Sequence, residues 1–164
     1  MGKTLEYLCS SCGFCKDLII GVGYAFPVEY DRIRKRAYNG EFGEEIRDFL
    51  KANPYRVIDA YPDVFVCENC RDISIQTNLG MYVPVDENEE TVKKIDKSSI
   101  KARNPEMIMQ CDLDGKYKKY KDYLHICDKC GGKLRRIPPR EYNNLKCPKC
   151  GHPLGVGKEI MLWD

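Results

Sequence analysis

The sequence predicts an α+β fold: two small β-rich units, each organised around a bound metal ion, the first carrying an inserted helical hairpin. Three observations predict it. Eight of the ten cysteines fall into four C-x-x-C pairs, Cys9/Cys12, Cys67/Cys70, Cys127/Cys130 and Cys147/Cys150. Between the first two pairs lie two stretches with apolar residues at helical spacing. Residues 85–106, "VDENEETVKKIDKSSIKARNPE", are charged, lack a sustained apolar period and read as a linker. The expected division is therefore 1–84, a linker at 85–106, and 107–164.

Residues 4–22 read as strand, turn, strand around "CSSCGFC". Two cysteines separated by two residues in a tight turn aim both sulfurs at one point. A glycine after the second cysteine takes positive φ and lets the chain turn back without a Cβ clash. "CSSCGF" has that glycine and "CGFCKD" does not, which favours Cys9–Cys12 over Cys12–Cys15 and leaves Cys15 to packing. Gly21 and Gly23 do not begin a nucleotide-binding loop, because Phe26 stands where G-x-G-x-x-G needs its third glycine.

Pro27 opens a helix with Tyr30, Ile33, Ala37 and Tyr38 on its apolar face, capped by Asn39–Gly40. Phe42, Ile46, Phe49 and Leu50 mark a second helix that ends before Asn53–Pro54. The hairpin occupies about 27–52. Residues 56–60, 63–67 and 71–77 read as strands, Met107 to Leu113 as a strand or short helix, and "EIMLWD" as a final strand.

The last two cysteine pairs enclose residues 131–146, matching the C-x₂-C-x₁₅₋₂₀-C-x₂-C zinc pattern, with room for two short strands and a turn at Pro138–Pro139. Cys127, Cys130, Cys147 and Cys150 are therefore expected to form one site. Cys9, Cys12, Cys67 and Cys70 are expected to form the other, with residues 13–66 holding the helical insertion. Two Zn²⁺ per chain are expected, with iron as the alternative, since four thiolates also bind iron. Cys111, in the apolar run "MIMQCDL", reads as a core residue.

These turns resemble the zinc-ribbon superfamily, and "CSSCGF" with "CPKCG" is similar to the paired knuckles of rubredoxin. The resemblance covers the metal turns and adjoining strands. It implies a rubredoxin-like fold around each metal and assigns the eight cysteines as ligands. The whole chain also looks like small bacterial proteins that combine such knuckles. Neither likeness implies an activity, because zinc ribbons serve many proteins as scaffolding.

Composition narrows the function. No apolar run approaches the length of a membrane span. No apolar segment precedes the first cysteines, so a cytoplasmic location is expected, and in that reducing compartment ten cysteines point to metal rather than disulfides. Closed four-thiolate sites leave no open position for a catalytic water. The sequence has two histidines, and it lacks a G-x-S-x-G elbow and a P-loop. The expectation is a non-enzymatic interaction module for a protein partner, with nucleic-acid binding and rubredoxin-like electron transfer as alternatives.

Nucleic acid is suggested by residues 104–164, which hold twelve Lys and Arg against eight Asp and Glu. Lys118, Lys119, Lys121, Arg135, Arg136 and Arg140 are the candidate phosphate contacts, interleaved with Tyr117, Tyr120 and Tyr123. Each zinc held by four thiolates carries a net charge of about −2, so two sites turn the formal +2 of the chain into about −2. Lys129, Lys133, Lys146 and Lys149 are accordingly read as offsetting thiolate charge.

Overall fold

The computed structural model describes residues 2–23, 26–85, 108 and 110–163. Apart from Val85, the expected linker lies outside the described residues. The fold is mixed α+β and rich in small antiparallel sheets. Its division is not sequential. One unit comprises Met1–Tyr24, Pro62–Thr77 and Leu124–Asp164, and the other Ala25–Tyr61 and Asn78–Tyr123. This replaces the expected boundaries at 84 and 107, because strand pairing joins chain segments from both sides of that stretch.

The first unit begins with β1 (Gly2–Leu8) and β2 (Cys15–Gly21), the two strands expected around the first knuckle. They pair antiparallel, Leu5 opposite Leu18 and Tyr7 opposite Lys16. The last strand of the chain, Gly155–Trp163, pairs with the other edge of β1, with register shifts on either side of Leu5. The two ends of the sequence thus share one three-stranded sheet.

The middle strands of this unit are Pro62–Cys67 and Ile73–Thr77, paired antiparallel, with Leu134–Ile137 on the far side of the former. Pro62–Cys67 is buried on both faces. Side chains alternate along a strand. Val64 and Val66 face a core that holds Leu18, Ile73, Ile137, Cys9 and Cys147. Phe65 and Cys67 belong to a separate cluster with Cys127 and Leu134. One strand therefore separates two apolar clusters, and each cluster contains cysteine sulfurs. A fully buried valine such as Val64 contributes about 1.5–3 kcal/mol by leaving water. Where a second ribbon strand was expected after Pro138–Pro139, residues Pro139–Asn144 form a 3-10 turn that seats Tyr142 in the first cluster.

The second unit holds the helical hairpin. Helix α1 (Phe26–Tyr38) buries Tyr30, Ile33 and Ala37, and α2 (Glu44–Ala52) buries Ile46, Phe49 and Leu50, the faces expected from periodicity. Gly40, at φ 82, ends the first helix, its N–H donating to the Ala37 carbonyl. The hairpin packs with a small sheet of Val57–Ile58, Met81–Pro84 and Tyr117–Lys121, where Phe49 and Tyr120 stack at 5.1 Å. A short helix, α3 (Gln110–Lys116), leads into the last of those strands. No helix among the described residues is long and apolar enough to cross a membrane.

Candidate metal centres

All four C-x-x-C segments fold into the same turn. The N–H of the residue after the second cysteine donates to the carbonyl of the first cysteine, at 2.8–3.0 Å, for Gly13, Arg71, Gly131 and Gly151. The N–H of the first cysteine donates to the carbonyl five residues on, at 2.8 Å in every case. Both bonds tighten the loop so that its two sulfurs converge. The knuckle read from Cys9–Cys12 is the one formed, and Cys15 already lies in β2.

The knuckles assemble in a nested order, not in consecutive pairs. Cys9, Cys12, Cys147 and Cys150 come together as an outer centre, and Cys67, Cys70, Cys127 and Cys130 as an inner one. The expected pairing, first knuckle with second and third with fourth, is corrected. The cause is the strand ladder: the closing strand Gly155–Trp163 runs beside β1 and carries the last knuckle to the first. Pro62–Cys67 runs beside Leu134–Ile137 and carries the second to the third.

The sulfurs fit a tetrahedral ion. Cys9 and Cys150 are 3.4 Å apart, Cys12 and Cys147 3.6 Å, Cys67 and Cys130 3.5 Å, and Cys70 and Cys127 3.7 Å. A tetrahedron with metal–sulfur bonds of about 2.3 Å has edges near 3.8 Å. A disulfide would hold its sulfurs at about 2.05 Å. Within each set all four sulfurs lie within 4.8 Å of one another. The residues present therefore fit a four-coordinate metal, and each set is complete without water.

Backbone N–H groups point at the sulfurs. Gly132 N–H and the neighbouring Cys67 and Cys70 sulfurs bring the Cys130 thiol down to about 6, while desolvation and the sulfurs around it push Cys70 of the same set up to about 12. Burial raises Cys147, but hydrogen bonds from the Cys150 and Lys149 backbones bring it down to about 7. Donors that favour the anion stabilise a ligating thiolate. The inner centre is also closely walled: a Cβ on Gly132 would stand 3.1 Å from the Cys67 sulfur and 3.2 Å from the Cys130 sulfur.

No family model, curated protein or solved structure matches this chain. The two centres are therefore characterised by their own geometry.

The lysines of the knuckles have neighbours besides thiolate. Lys129 pairs with Asp72 at 2.7 Å, and Lys149 stands over the Phe14 ring at 5.9 Å. Cys15, expected to pack, is instead exposed on β2, and with half-buried Glu6 and exposed Asp17 it forms a third group of possible ligands. The Cys15 thiol there is pushed up by desolvation and by the two carboxylates.

The candidate phosphate contacts are distributed over both units. Lys118, Lys119 and Lys121 lie on Tyr117–Lys121 in the second unit; Arg135, Arg136 and Arg140 lie in the first. Lys119 pairs with Asp122 at 2.8 Å, Lys121 with Glu45, Arg135 with Glu141 at 3.4 Å and Arg136 with Asp63 at 2.8 Å. His125 is buried with its ring 4.4 Å from Phe65, and His152 is exposed.

Proposed function

We propose that this chain is a zinc-ribbon protein in which two structural Zn²⁺ ions hold a scaffold that presents a surface to a protein partner. The observation that carries the reading is the closure of both cysteine sets, four sulfurs at tetrahedral spacing with no position left for substrate or water. The outer ion joins the first segment of its unit to the third, and the inner ion joins the second to the third. Metal binding thus stands in for a larger apolar core. Zinc is favoured over iron because a scaffold needs no redox chemistry, and on this reading the protein works in the cytoplasm without a catalytic step.

The apolar surface beside the third knuckle supports the choice of a protein partner. Leu124 and Ile126 are 58% and 51% exposed, just before Cys127. Nucleic-acid binding is the second reading. It is weakened by the carboxylates that already engage Lys119, Lys121, Arg135 and Arg136, leaving less uncompensated charge to displace counterions.

Two variants of the full chain decide between them. Leu124→Ser with Ile126→Ser should abolish recovery of a stable protein partner while zinc content stays unchanged. Changing Lys118, Lys119, Lys121, Arg135, Arg136 and Arg140 to Ser should leave that partner bound. Tight, salt-sensitive binding of DNA or RNA by the wild type, lost in the six-fold variant, would overturn the interaction reading.

A further inference from the structure

Three knuckles have glycine after their second cysteine, and one has Arg71. All four adopt the same left-handed backbone, with φ 69 at Gly13, 69 at Gly131, 77 at Gly151 and 59 at Arg71. A residue with a Cβ is disfavoured in that conformation, and glycine is not. A non-glycine residue held in such a conformation invites a search for what its side chain does.

The Arg71 side chain leaves its own knuckle. Its Nη1 stands 3.0 Å from the point a Cβ on Gly151 would occupy, so the guanidinium lies against the last knuckle, which belongs to the outer centre. The neighbouring Asp72 ties the same turn to the third knuckle and to β2. Its carboxylate meets Lys129 of the inner centre at 2.7 Å and Lys16, one residue beyond Cys15, at 3.7 Å. The direction of both side chains is set by the loop that supplies two inner-centre ligands. Arg71 N–H donates to the Cys67 carbonyl at 3.0 Å, and Cys67 N–H to the Asp72 carbonyl at 2.8 Å. A divalent ion among four thiolates leaves a net charge of about −2, which a nearby guanidinium stabilises.

We propose that Arg71 is a positioning residue that couples the two metal centres. Filling the inner centre fixes the Cys67–Asp72 turn and holds the guanidinium against the outer centre, which then binds its own ion more tightly. Linkage makes the effect reciprocal, so an ion in the outer centre strengthens the inner one by the same factor. The inference rests on the reading that both cysteine sets bind metal.

Native mass spectrometry of the full chain during zinc titration tests it, by counting chains with no, one and two ions. With coupling, the one-ion form of the wild type stays below its level for independent sites. Arg71→Gly suits the backbone and keeps the knuckle, so two ions should still bind. In that variant the square of the one-ion population, divided by the product of the other two, should rise about fivefold or more. Arg71→Lys keeps the charge and should fall between the two. A ratio unchanged in Arg71→Gly, or a lysine no better than glycine, would overturn the proposal. A wild type that never takes two ions would instead overturn the two-centre reading.

Discussion

The sulfur of Cys9 stands 3.4 Å from that of Cys150, across 141 residues of sequence. That contact ties the first knuckle to the last, and the inner centre repeats the pattern between Cys67 and Cys130, 63 residues apart. The centres are nested, and the chain between their ligands supplies a whole second unit.

Nesting predicts which ligands fail together. Cys9→Ser and Cys150→Ser should each remove the same zinc equivalent, despite lying at opposite ends of the sequence. In both variants Cys12 and Cys147 should become reactive to alkylation, while Cys67, Cys70, Cys127 and Cys130 stay protected. Structural zinc supplies an apparent 10–16 kcal/mol, roughly the size of a whole domain's net stability. The lost ion should therefore also release the pairing of β1 with the closing strand. Zinc analysis with mass-mapped alkylation reads the outcome; exposure of Cys67 and Cys70 in the Cys9→Ser protein would contradict it.

Cys15→Ser should keep both zinc equivalents. The Cys15 thiol is exposed and points to Glu6 at 3.7 Å, outside either sulfur set. A change in stability within about 0.5 kcal/mol is expected for such a surface position. Loss of a zinc equivalent would show that the knuckle register is wrong.

Gly13→Ala and Gly132→Ala separate backbone strain from damage to a centre. Gly13 has open space around its would-be Cβ but sits at φ +69, so alanine should cost about 1–2 kcal/mol and leave the metal bound. Alanine at Gly132 drives a methyl against two ligating sulfurs and to 2.8 Å from the Asn69 Cβ. That variant should lose inner-centre affinity by at least about tenfold, the scale of disturbing groups that orient a metal's ligands. Competition with a chromophoric chelator measures the metal affinities, and denaturant titration the stability cost.

The buried tyrosines give a pH dependence. Burial pushes the Tyr7 hydroxyl up to about 12 and raises Tyr30 further still. Above a pH of about 10 the unfolded chain loses these protons while the folded chain keeps them. The unfolded state then binds fewer protons, so stability is full below that pH and falls as pH rises toward the folded values. Denaturant titrations at several alkaline pH values should show a shallower fall for Tyr30→Phe than for the wild type. Equal slopes would show that Tyr30 ionises freely in the folded chain.

Much of this fold was legible in local pattern. The helices over 26–52, β1, β2 and the closing strand follow from residues within a few positions of one another. The eight clustered cysteines follow from spacing and turn chemistry. The pairing of the knuckles did not follow from proximity in sequence, because it is decided by which strands lie side by side. The turns themselves held a signal: "CSSCGF" and "CPKCG" are the pair that resembles rubredoxin, and they supply the outer centre. Met81–Pro84 and Tyr117–Lys121 are not legible as strands in the sequence for the same reason. Each is short and stabilised by its partner, Tyr82 opposite Lys119 and Val83 opposite Lys118, more than by its own alternation.

Cadmium-113 NMR of the cadmium-substituted chain tests the central claim most directly, since proton–cadmium couplings report which cysteines hold which ion. Two tetrathiolate resonances are expected. One should correlate with the β-protons of Cys9, Cys12, Cys147 and Cys150, the other with those of Cys67, Cys70, Cys127 and Cys130. A single resonance, or Cys9 and Cys12 coupled to the same cadmium as Cys67 and Cys70, would contradict it.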